Sequence, residues 1–271
     1  MNNTFDIKRF WRYFVYDLNS AKNECGLTLL ILGAMPVFLF FFYELFSVIV
    51  GKGFTAVNAG AKLPSVIIAF MIACLAFPAK HYGTLTERKA GSAWILLPAS
   101  TLEKWLSMLL VTCVAVPAFM VAETAACEGL LGLFFKNTYG GMTIAPIAEG
   151  MNSAWGELSL EAGKSALLSW PYSLYLSWCA TILVFTLGAI CFRKSKVGKT
   201  FLALFLLGLA LSIIAVAVVR IFGGADFSLS VEDITEESFV RYARIIQYAA
   251  YVVEFGLLDF FIYNRIRTIK Q

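Results

Sequence analysis

Charge is scarce in this chain of 271 residues, of which 15% are Asp, Glu, Lys or Arg and 59% are hydrophobic, with a mean hydropathy of +0.75. That balance excludes an ordinary soluble domain and indicates an integral membrane protein. Histidine is almost absent: His81 stands alone, without an HExxH pattern, and no serine lies in Gly-x-Ser-x-Gly, so zinc-dependent and serine hydrolysis have no residues to work with. His81 reads as a capping residue where the second apolar stretch meets water. The cysteines Cys25, Cys74, Cys113, Cys127, Cys179 and Cys191 form no CxxC pair and read as packing residues. A phosphate-cradling loop is missing too. Gly198-Lys199-Thr200 imitates its end, but Arg193 stands where the loop needs its first glycine, so this chain is not expected to hydrolyse ATP. No catalytic, cofactor-binding or metal-ligating residue is predicted.

What the sequence does have is long apolar runs. A spanning helix needs about 20 mostly apolar residues, and six segments approach or exceed that length: 26–50, 64–79, 105–135, 170–191, 200–222 and 242–263. The expected fold class is therefore all-α, a polytopic membrane protein in which residues 26–271 form a six-span domain. The second segment is short. The third is long enough to overshoot the hydrocarbon core, so a bend at Pro117 or an interfacial end over 127–135 is expected.

Lys and Arg give the orientation, because cytoplasmic loops near span ends retain positive charge. Lys8, Arg9, Arg12 and Lys22 precede the first segment, and Lys80, Arg88, Lys89 and Lys104 separate the second from the third. Arg193, Lys194, Lys196 and Lys199 lie between the fourth and fifth, and Arg265, Arg267 and Lys270 follow the sixth. Both termini are predicted to be cytoplasmic, and the net charge of +4 is read as a topology signal, with no nucleic-acid binding implied. Residues 1–25 lack the pattern of a cleaved signal. There, Ile7, Phe10, Trp11, Phe14, Val15 and Leu18 recur at helical spacing while Lys8, Arg9, Arg12 and Asp17 take the other side. This predicts an amphipathic helix lying in the cytoplasmic interface against membrane lipids. Residues 136–169, rich in glycine, are expected to form an outer cap.

Ionisable residues within apolar segments are costly and face a cavity, a partner or the interface. Glu44, Glu123, Glu128 and Arg220 fall late in outward-running segments, where they are expected to reach interfacial water, with Arg220 able to pair with Glu123 or Glu128. In the last segment Arg244, Gln247, Tyr251 and Glu254 share one helical face, expected to meet the protein interior, a dimer seam or a polar pathway. Gly208 and Ser212 supply a small-residue pair for a possible dimer contact.

The most patterned segment is the charged island between the second and third apolar runs. Ser100 and Glu103 make a capping box that starts a helix at Thr101, and Pro98 breaks the chain before it. Residues 85–97 are expected to form a short surface helix with Glu87, Arg88 and Lys89 toward water and Trp94 toward bundle or lipid. The succession Glu87-Arg88, Gly91-Ser92, Leu96-Leu97-Pro98, Ser100 and Glu103-Lys104 resembles the cytosolic loop after the second span in the type-2 permease family of ABC exporters, with Leu97 directly before the proline where the family often keeps one more residue.

The resemblance covers under a tenth of the chain. It implies a coupling loop on which a separate ATP-binding subunit docks through Glu87, Arg88, Lys89, Gly91, Pro98, Ser100 and Glu103, with ATP held by that subunit. It further implies a homodimer or a heterodimer with a second permease, in a bacterial inner membrane. The outer side departs from the family, whose larger outer element lies between spans five and six, whereas here the larger loop precedes the fourth segment. Two other classes are compatible with the composition: a non-transporting membrane protein that binds a partner, such as an immunity or envelope-stress factor, and a membrane-embedded enzyme.

Overall fold

A computed structural model describes residues 5–53, 59–87, 91, 94, 96–136, 138–139, 170–222 and 236–268. All regular structure among the described residues is helical: α1 (Ile7–Gly33), α2 (Met35–Ile49), α3 (Ala59–Lys80), α4 (Thr101–Leu110), α5 (Val116–Phe134), α6 (Trp170–Cys191), α7 (Lys196–Phe222) and α8 (Glu236–Thr268). A 3-10 turn at Tyr82–Thr86 follows α3, and a π turn at Val111–Ala115 joins α4 to α5. Among the described residues, four stretches are long and apolar enough to cross a membrane, namely Ile7–Ile49, Pro64–Thr86, Thr101–Phe134 and Lys196–Ile214, while Tyr175–Cys191 is apolar but shorter. The protein is thus an all-helical chain with the make-up of a multi-pass membrane protein. The loops at 140–169 and 223–235, including most of the expected outer cap, lie outside the described residues.

The amphipathic start and the first apolar run form one helix. The Asp6 carboxylate caps α1 by accepting from the Lys8 amide at 2.9 Å, and the helix continues to Gly33. It stops inside the apolar run because Pro36 has no N–H for the Leu32 carbonyl. Its buried stripe is Phe10, Tyr13, Asp17, Ala21, Cys25, Leu29 and Leu32, whereas Ile7, Trp11, Val15 and Leu18 are exposed. Asp17 therefore points into the bundle and not to water as its placement opposite the apolar face suggested.

Helix α6 is central, packing on α3, α7, α8 and the 3-10 turn, and α1 packs on α3, α4 and α5. The shared core joins Cys25 and Leu29 of α1, Ala73 and Phe77 of α3, Met108 of α4, Met120 of α5, Ile182 and Leu183 of α6 and Ile262 of α8. Small side chains such as Ala69 and Ala73 let backbones approach, the device that replaces hydrophobic drive between helices in lipid. Residues 201–214 of α7 are all exposed, Gly208 and Ser212 among them. The base of α7 meets α6 closely: Thr200 packs where Gly188 has no Cβ, so any larger residue at 188 would collide with it.

The long third run is helical through Phe134, with a π turn just before Pro117. Pro117 cannot donate to the Cys113 carbonyl, and that oxygen instead accepts the Tyr175 hydroxyl of α6 at 2.8 Å. A helix defect has become an interhelical bond.

Candidate functional site

The basic segments that alternate along the sequence meet at one end of the bundle. Arg193 donates to the Thr86 carbonyl at 3.3 Å, Lys196 pairs with Glu87 at 3.3 Å, and Arg265 reaches the Ile190 carbonyl at 3.4 Å. Lys196 also lies against Gly83, where a Cβ would displace its side chain. The turn between α6 and α7, with Ser195 in the left-handed region at φ 52°, thus sits beside the loop that follows α3.

That loop is tied to α1 by two polar clusters. In the first, Glu103 is wholly buried and accepts the Arg9 guanidinium as a fork, at 2.6 Å from Nη2 and 2.8 Å from Nε. The same carboxylate accepts the Asp6 amide at 3.0 Å and the Ser100 amide at 2.9 Å, while Ser100 Oγ accepts the Glu103 amide at 3.3 Å. The capping box expected from the sequence is therefore present, and the caps of α1 and α4 share one carboxylate. Bidentate charge-assisted bonds of this kind are about twice as strong as neutral ones.

In the second cluster, Asp17 accepts from Ser107 Oγ at 2.7 Å and from the Tyr82 hydroxyl at 3.3 Å, and its other oxygen faces His81 Nε2 at 3.2 Å. His81 Nδ1 lies 2.8 Å from Glu24. Both ring nitrogens thus face carboxylates. A neutral imidazole donates at only one nitrogen, so the doubly protonated ring is the form that satisfies both contacts. His81 is an ionic link between α1 and the end of α3, a larger role than the cap expected of it. Between the clusters, Trp94 Nε1 donates to Tyr13 Oη at 3.0 Å, and Lys104 donates to the Trp94 carbonyl at 2.8 Å with its ammonium 4.3 Å from the indole centre.

The predicted docking residues separate into two groups. Glu87 is exposed and Pro98 is exposed, while Gly91, Glu103 and Lys104 are buried and Ser100 is half-buried. Arg88 and Lys89 lie outside the described residues. The short helix does not begin at Leu85: the chain is a 3-10 turn to Thr86 and extended at Glu87, and helical bonding starts with the Gly91 amide on the Glu87 carbonyl at 2.8 Å.

The polar face of α8 is described only at its two C-terminal members. Glu254 is exposed, and Tyr251 is half-buried and stacks on Phe255 with centroids 6.4 Å apart. The side chains of Arg244 and Gln247, like that of Arg220, lie outside the described residues. At the opposite end of the bundle the expectation of interfacial carboxylates fails, since Glu44 and Glu128 are buried at 5% and 0% exposure. Glu123 is half-buried and packs against Gly33, at the break between α1 and α2.

The Asp17 cluster had no signature in the sequence beyond an acid on an otherwise useful stripe, since Asp17 follows Phe10 and Tyr13 at helical spacing. Comparisons with family models, with curated proteins and with solved structures found no match to this chain.

Proposed function

We propose that this chain is the membrane-spanning permease subunit of an ABC exporter, with six spans, both termini cytoplasmic and a place in a bacterial inner membrane. A separate ATP-binding subunit docks on the segment between α3 and α4, and two permease chains pair to serve two ATP sites. The observation that carries this reading is the mechanical linkage at that segment. On either side of exposed Glu87 in the chain, charged contacts reach α1, from His81 to Asp17 and Glu24 and from Glu103 to Arg9. From α1 a displacement passes to α3, α4 and α5, which pack on it. Bistable packing of such rigid elements is how small movements at a docking face become span rearrangements. On this reading Glu254, exposed on α8, faces the dimer seam or the polar pathway, and its exposure on the single chain supports that assignment.

Co-purification tests the reading. The double reversal Glu87→Arg with Arg88→Glu is expected to leave expression and insertion intact, because surface charges contribute only about 0–1 kcal/mol to a fold. It is expected to weaken capture of the ATP-binding subunit or to uncouple transport, since like charges forced together in an interface cost several kcal/mol. Normal capture and normal transport by the reversed protein would remove the docking role. In a cysteine-free background, a cysteine at Ser195 should resist an impermeant maleimide in intact cells while one at Ser230 reacts; equal labelling would overturn the orientation.

A further inference from the structure

Two cysteines far apart in the sequence meet in the bundle. Cys113 lies in the π turn between α4 and α5, and Cys179 lies on α6, 66 positions later. Their thiols hydrogen-bond each other, and Cys179 Sγ is 4.0 Å from the Cys113 carbonyl oxygen. Tyr175, one turn before Cys179, fixes the approach, because its hydroxyl donates to that carbonyl at 2.8 Å and also hydrogen-bonds the Cys179 thiol. The carbonyl is open to these partners because Pro117 brings no N–H to it. Access to the pair differs between its members. Cys179 is buried, whereas Cys113 is half-buried and is followed by Val114 at 52% exposure, with Tyr175 at 45%. Cys113 belongs to a stretch apolar enough to span a membrane, so a reagent reaches it from lipid.

We propose that Cys113 and Cys179 are a thiol–disulfide pair, oxidised by an organic hydroperoxide that arrives through the lipid. The reaction balances in two steps. Cys113 Sγ, the accessible sulfur, attacks the peroxide: an S–O bond forms, the O–O bond breaks, and the alkoxide leaves with the thiol proton as an alcohol. Cys179 Sγ then attacks the sulfenic sulfur of Cys113, so that an S–S bond forms, the S–O bond breaks, and water leaves with the second thiol proton. Two electrons pass from the sulfurs to the peroxide. The pair suits this chemistry better than a tetrahedral metal centre, because among the described residues no group of three or more His, Cys, Asp or Glu gathers as ligands. Cys74, whose Sγ is 4.0 Å from the Trp178 carbonyl, is wholly buried and stands outside the reaction. The cross-link ties the run from α4 through α5 to α6, the central helix of the packing.

The site stands independently of whether an ATPase docks on the segment between α3 and α4. The test uses the full-length protein in lipid nanodiscs, reduced, freed of reductant and treated with cumene hydroperoxide. Remaining thiols are alkylated, and unreduced proteolytic peptides are mapped by mass spectrometry. The expected product is a peptide pair joined through Cys113 and Cys179, lighter by two hydrogens and separated again by a phosphine. Cys179→Ala should stop the oxidation halfway, so that dimedone, which traps sulfenic acids, labels Cys113 about tenfold more than in wild type. Cys113→Ala should leave Cys179 reduced at the same dose of hydroperoxide. No joined pair in wild type, dimedone labelling of Cys113 that does not rise in Cys179→Ala, or full oxidation of Cys179 in Cys113→Ala would each overturn the proposal and return both cysteines to packing. Should a variant fail to fold, the wild-type peptide map decides alone.

Discussion

The two ends of the bundle bury charge in opposite ways. At the Asp17 and Glu103 end both buried carboxylates are met by donors: Glu103 by Arg9, Asp6 and Ser100, and Asp17 by Ser107, Tyr82 and His81. At the Glu44 end a carboxylate is equally buried and meets no donor. The first arrangement fixes helices to one another, because removing one member strands the rest. The second leaves a buried carboxylate whose desolvation no donor offsets. Burial alone therefore does not identify a joint; satisfaction of the buried group does.

The comparison makes the largest expected effect that of Asp17→Ala. His81, Tyr82 and Ser107 would lose their common acceptor, and the cost should be about 3–5 kcal/mol, seen as a large drop in thermal midpoint or loss of folded protein from detergent extracts. A stability close to wild type would mean that water replaces the carboxylate and that the cluster is no joint. Glu103→Ala comes next. It removes the Arg9 fork and the reciprocal cap of α4, for a loss of about 2–3 kcal/mol, and Glu103→Gln should recover part of it by accepting the Ser100 amide.

The isosteric contrast is sharper. Asp17→Asn turns an amide toward donors and should cost about 1–3 kcal/mol, whereas Glu44→Gln should leave stability undiminished or raise it, having no hydrogen bond to lose and a costly buried charge to remove. If the two substitutions cost the same in paired unfolding curves, the distinction between the ends collapses. Smallest of all should be Glu254→Leu, a change on an exposed face of α8, for which an unaltered midpoint of the isolated chain is expected. Weakened dimer cross-linking by that variant would assign the face to the seam.

Some of this was legible in the chain because it is local. Ser100 and Glu103 are three residues apart, so the capping box follows from helix geometry without reference to the rest of the fold, and it forms as expected. The irregularity before Pro117 follows from a missing N–H in the same way, although the use of the freed Cys113 carbonyl by Tyr175, 62 residues away, does not. Asp17 was misread as water-facing because a helical wheel sorts residues by polarity, and a buried acid with distant donors looks like a surface acid. Glu44 and Glu128 were assigned to interfacial water for a related reason: depth along a span is readable, but which side faces another helix is not.

The sequence by itself determined that this protein is helical and apolar enough for a membrane, that a helix starts at the Ser100 capping box, and that its basic residues cluster in alternate segments, since each of these follows from composition, spacing or backbone chemistry within a few residues. Only the tertiary structure decided that the basic segments meet at one end, that Arg9 and Glu103 share a fork across 94 positions of sequence, and that Glu44 is buried without a partner. The physical reason is that the free energy of a buried charge is set by the atoms brought within a few ångströms of it, and those atoms come from helices whose separation along the chain carries no record of their distance in space.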